Sequence, residues 1–166
     1  MDPSLNDSTL PLVLAGPILR RVTPERLCIW LATSAPVRVR VELEAEGTSG
    51  ARRIDLDDGS LRILRAGDHL HYVLIDLALD ESLPVDTYIA YDLHLQAHDD
   101  GHDPWHAARD WAPDLCHEGH DRPFFRIPSR VASFLHGSCR KPHHPGDDAL
   151  AAVDGLLARA RSSDEP

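Results

Sequence analysis

Between Val37 and Glu44 the chain alternates without a break: Val37, Val39, Val41 and Leu43 are apolar, while Arg38, Arg40, Glu42 and Glu44 are charged. Successive side chains of an extended strand point to opposite faces, so a period of two buries one face and leaves the other in water. The segment is therefore predicted to be a half-buried strand, and it requires an apolar layer opposite. Leu27-Cys-Ile-Trp-Leu-Ala32 has the short continuous apolar run of a strand buried on both faces or of a central sandwich strand.

The same signals recur to about residue 127. Gly47-Thr-Ser-Gly50 and Asp57-Asp-Gly-Ser60 are turn chemistry separating shorter strand candidates at Arg52–Leu56 and Leu61–Leu64. His69–Leu77 and Thr87–Leu95 are longer; in the second, Ile89, Tyr91, Leu93 and Leu95 share a face and leave Asp92, His94 and Gln96 on the other. Six or seven short strands without a helical period predict a mainly β domain, an antiparallel sandwich of immunoglobulin or fibronectin III-like character, closed by Pro123-Phe-Phe-Arg-Ile127.

Pro128-Ser-Arg130 reads as a hinge, giving a sandwich over residues 1–130 and a second segment over 131–166. In that segment Val131–Leu135 is predicted as a strand running into a loop. Leu150, Val153, Leu156, Leu157 and Ala160 follow at helical spacing. Asp147 or Asp148 can cap this helix, and Gly155 weakens it by about 1 kcal/mol relative to Ala. The whole is a single β-loop-α unit, the opening of an α/β layer.

Charge is unevenly placed. Of the net −10, residues 1–40 carry five basic and three acidic side chains, residues 41–125 six and nineteen, and residues 126–166 six and five. An acidic body repels polyanions, so nucleic acid is not an expected partner. Neither is a membrane, since no segment is long and apolar enough to span one. Three cysteines at unrelated spacings argue against a disulfide framework and for a reducing compartment. The run Leu10–Leu19 is broken by Pro11, Gly16 and Pro17 and follows Asp2 and Asp7, which makes a poor signal peptide. The expected location is cytoplasmic.

Chemistry concentrates in Ser133-Phe-Leu-His-Gly-Ser-Cys-Arg-Lys-Pro-His-His-Pro145. Cys139, beside Arg140 and Lys141 and facing a helix N-terminus near Asp147, is expected to have a lowered pKa and to be available as a metal ligand or nucleophile. A half-exposed thiol without a role fits the local sequence equally. Arg140, Lys141, His143 and His144 could hold an anion against the following helix, or could form a solvated basic turn. A cysteine-phosphatase loop is excluded, because the arginine it needs six residues after the cysteine is here Pro145. A second cluster contains His94, His98, His102, His106, Cys116, His117 and His120 among many aspartates. Its Asp-Asp-Gly and Asp-Pro breaks favour a polar loop over a zinc-type site, with Trp105 and Trp111 pinning the loop to the sandwich.

Three stretches together resemble the N-terminal part of a PhoD-like alkaline phosphatase, a calcineurin-like metallophosphoesterase. They are Ala15-Gly-Pro-Ile-Leu-Arg-Arg-Val-Thr23 with Cys28-Ile-Trp-Leu-Ala-Thr33, then Leu83-Pro-Val-Asp-Thr-Tyr88, and most specifically the junction Gly137-Ser-Cys-Arg-Lys-Pro142. The resemblance implies a fibronectin-like sandwich ahead of an α/β/β/α phosphoesterase core, with Cys139 as a ligand of a metal pair, iron with calcium or similar, and Arg140 near the substrate. The family's Gly-Asp-x-x-Tyr segment and its later Asp, Asn-His and His ligands do not follow Cys139. Gly146-Asp147-Asp148 and Gly119-His120-Asp121 echo fragments of such motifs but sit at the wrong places.

One thiolate cannot assemble a two-metal centre, so a fragment truncated after the Ser-Cys motif is expected, without hydrolytic activity or a cofactor of its own. Its partner would be the missing phosphoesterase core, in cis or in trans. The alternative is a free-standing β-sandwich binding module that docks through its C-terminal strand and helix, with self-association through residues 131–161. A third reading is metal storage or sensing through His98, His102 and His106.

Overall fold

Leu27, Ile29 and Leu31 are fully buried, as are Val37, Val41, Val73, Ile75, Ile89, Leu93 and Leu95, and these residues come from strands of two different sheets. Each strand thus contributes one apolar face to a shared core, the packing that its period of two demands. The computed structural model describes residues 10–98, 103–112, 115–116, 119–131, 135–136 and 149–162.

The strands are β1 Val13–Thr23, β2 Arg26–Thr33, β3 Val37–Ala45, β4 Arg52–Asp55, β5 Leu61–Gly67, β6 Leu70–Ala78, β7 Tyr88–Ala97 and β8 Phe124–Arg126. They form two antiparallel four-stranded sheets, ordered β1-β2-β6-β5 and β4-β3-β7-β8. β2 lies between β1 and β6, so the Leu27–Ala32 run is a central sandwich strand.

The expected six or seven strands are eight, because the Pro-broken run near the N-terminus joins the sheet as β1. An edge strand tolerates this, since Pro17 owes no donor to an outer neighbour and register shifts absorb the irregularities. Gly16 has φ +89°, and a Cβ there would lie 2.8 Å from the carbonyl oxygen of Trp30, so only glycine fits so close to β2.

Two helices complete the described elements: α1, Ala108–Trp111, and α2, Ala149–Ser162. By internal contacts the chain divides into two compact units, Met1–Pro128 and Ser129–Pro166. In the second unit the predicted helix is present as α2. The predicted strand is not formed at Val131 or Leu135, while residues 132–134 lie outside the described residues. Among the described residues no sheet element offers Val131 or Leu135 ladder partners, and a strand without partners leaves its backbone unsatisfied. No helix among the described residues is long and apolar enough to cross a membrane.

Candidate functional site

The outward face of β3 and β7 is where the fold gathers polar side chains. The register sets Arg38 opposite Gln96, Arg40 opposite His94 and Glu42 opposite Asp92. A covering segment then closes over this face. Its backbone pairs with β7 at Leu95 and His106, and Gln96 Nε2 donates to the Asp103 carbonyl. The Ala108 amide donates to Asp92 Oδ1 at 2.9 Å, which seats α1 on the sheet and buries Asp92 to 4% exposure. Both expected anchors hold the segment: Trp105 lies against Arg40, and Trp111 packs on the edge of the core.

At the centre of this polar layer is His94. Its Nε2 is buried without a hydrogen-bond partner among the described residues, 3.7 Å from Glu42 Oε2 and 3.8 Å from Asp92 Oδ2. Glu42 is committed elsewhere: Arg53 donates to it at 3.0 Å and Arg122 approaches to 3.8 Å. Arg122 also donates to Glu44 at 2.6 Å, and this bond is the main reason its pKa is raised further. Asp92 is held by the backbone amide of Ala108 and so anchors the covering segment, while Glu42 is held by Arg53 and Arg122; neither carboxylate is a free ligand.

The described thiols are not activated. Burial pushes the Cys116 thiol up, and the nearby carboxylates of Asp121 and Asp92 push it further. Burial likewise raises Cys28, whose Sγ donates to Asp76 Oδ1 at 3.0 Å. Asp76 is itself held well below the usual carboxylate range by Arg26, whose guanidinium grips it through two 2.6 Å bonds. Both cysteines are therefore protonated near neutrality, the opposite of what a nucleophile or metal ligand needs.

The residues singled out from sequence, Cys139, Arg140, Lys141, His143 and His144, lie outside the described residues, as does His102. His98 and His106 are both exposed. Among the described residues no group of three or more His, Cys, Asp and Glu side chains is disposed to hold a metal ion. The Glu42, Asp92 and His94 layer was only half legible beforehand: alternation put Asp92 and His94 on the outer face, but their meeting with Glu42 depends on the β3 to β7 register.

A cleft of about 800 Å³ opens beside this layer, lined among others by Arg38, Arg40, Asp55, Asp58, His98 and Trp105. Its charges are mixed, and its two best-placed groups, Arg40 and Asp55, are bonded to each other.

Fold and site together define an all-β sandwich domain with one sheet face sealed by its own polar-anchored segment. Residues 10–114, more than half of the chain, match the family described as a domain of unknown function (DUF7800), and the chain belongs to that family. No curated protein matches it.

Proposed function

We propose that this chain is the N-terminal part of a PhoD-like, metal-dependent phosphoester hydrolase, in which the sandwich is an accessory domain and Cys139 is the first metal ligand of the catalytic core. The observation that carries the reading is the position of the junction motif. The sandwich finishes with β8 and the buried Ile127, a new unit starts at Ser129, and in the sequence Gly137-Ser-Cys-Arg-Lys-Pro142 follows that boundary. A fibronectin-like domain followed by a Ser-Cys at the start of a core is the order the resemblance implies.

Strand order supports the immunoglobulin-like part of the reading. β1-β2-β6-β5 has the neighbour pattern of strands A, B, E and D, and β3-β7-β8 that of C, F and G, with β4 as an added edge beside C. The described residues do not fit a metal pair, so no catalytic step is assigned to the sandwich. A cytoplasmic site of action is part of the same proposal. The test is phosphate release from p-nitrophenyl phosphate by the purified chain supplied with iron and calcium. The proposal expects none above a Cys139→Ala control, and turnover lost in that control would overturn the accessory role, because it would show a working site within this chain, while leaving Cys139 as a ligand.

A second reading is favoured by Val131, Leu135, Leu156 and Leu157, which are 68%, 63%, 43% and 42% exposed. As a free-standing module, the chain would dock or self-associate through these residues. Sedimentation of the wild type against Leu156→Ser/Leu157→Ser tests it: a concentration-independent monomer in both removes self-association.

A further inference from the structure

The two outer sheet faces are treated differently by the chain. That of β3 and β7 is roofed by the segment carrying Trp105 and α1, whereas that of β1, β2, β6 and β5 is apolar and is covered by no other described element of the sandwich. Across its four strands runs a paired row of Ile18, Trp30, Leu74 and Arg62, and beside it a second row of Ala32, Tyr72 and Leu64. Ile18 is 45% exposed, Tyr72 40%, Leu74 37% and Leu64 66%, while Trp30 is half-buried with its ring 6.1 Å from that of Tyr72. A contiguous apolar surface on a sheet, centred on an aromatic pair, marks an interaction site.

The rim is basic. Arg20, Arg21 and Arg62 are exposed and make no hydrogen bond or close ion pair among the described residues, although Arg62 lies near enough to Asp76 to help lower its pKa; the row next to Trp30 runs Arg21, Cys28 and Asp76, whose carboxylate Arg26 holds. From this geometry we infer that the outer face of β1, β2, β6 and β5 docks an acidic amphipathic segment of a partner protein, its apolar side on Trp30, Tyr72 and Leu74 and its carboxylates against Arg20, Arg21 and Arg62.

Two other occupants fit less well. A second copy apposed face to face sets arginine rim on arginine rim. An anionic membrane extends beyond the patch and meets the rest of a chain whose net charge is −10, where a short segment touches only the basic rim.

The test titrates the full chain with two synthetic amphipathic peptides sharing one leucine-rich face, one flanked by glutamate and the other by lysine. Vesicles of phosphatidylcholine containing phosphatidylserine form a third arm. The glutamate peptide is expected to bind at least tenfold more tightly than the lysine peptide, and to weaken several-fold as salt rises. Binding should fall at least tenfold in Leu64→Ser/Leu74→Ser and in Arg20→Glu/Arg62→Glu, with Arg38→Glu on the other sheet unchanged. Circular dichroism of each variant confirms that it folds. Absence of binding, equal binding of both peptides, preference for vesicles, or retention in both double variants each overturns the inference.

Discussion

The guanidinium of Arg40 lies 4.4 Å from the centroid of the Trp105 ring, and its Nε donates to Asp55. One side chain of β3 thereby ties the covering segment to both β3 and β4. Truncating Trp105 to Ala removes the cation–π contact and the packing of a half-buried ring, an expected loss of about 1–2 kcal/mol. Urea unfolding of Trp105→Ala, Arg40→Ala and the double variant should give a coupling energy of about 0.5–1 kcal/mol. Strictly additive losses would show that the contact contributes nothing.

His71 is 3% exposed on the core face of β6, paired in register with Thr33 and Arg65, and its Nδ1 has no hydrogen-bond partner among the described residues. An orphaned buried polar atom costs about 1–3 kcal/mol, and an apolar side chain of similar volume avoids that cost. His71→Leu is therefore expected to leave stability unchanged or raise it by about 1 kcal/mol. A clear destabilisation in thermal or urea unfolding would contradict this.

Tyr91 sits in the core beside Phe125, with ring centroids 5.9 Å apart, and burial pushes its phenol up to about 12, with Cys116 adding to the shift. A raised native pKa means that the unfolded chain gives up its proton first. The stability is thus fully present below the ordinary phenol value of about 10 and is lost as pH rises toward 12. Tyr91→Phe should flatten this alkaline decline, followed by circular dichroism between those limits. Cys116, raised in the same direction, declines from a lower pH, and Cys116→Ser separates the two. An unaltered alkaline limb in Tyr91→Phe would rule out the assignment.

Much of the sandwich was legible because its strands carry their own period. Val37 to Leu43 and Ile89 to Leu95 alternate so cleanly that their buried faces could be named in advance, and both sets are buried. What periodicity cannot supply is register. The approach of Glu42 to His94, or the row from Ile18 to Arg62, joins residues far apart in sequence through ladders whose alignment no local pattern specifies. β1 was hidden because Gly16 and Pro17 are ordinarily strand breakers, and its edge position makes them tolerable; Pro11 lies ahead of the strand. The strand expected at Val131–Leu135 failed at its described positions for the converse reason: an apolar run specifies burial, but ladder partners decide whether it becomes a strand.

The proposed role as accessory domain of a phosphoesterase stands most directly on reconstitution. The chain would be supplied, as a continuation or as a separate polypeptide, with a metallophosphoesterase segment bearing the Gly-Asp-x-x-Tyr and later ligands, and metal-dependent phosphate release measured. Activity is expected to appear and to fall by at least about a hundredfold in Cys139→Ala, with His98→Ala unaffected, as for loss of a metal ligand. Activity indifferent to Cys139 would contradict the account.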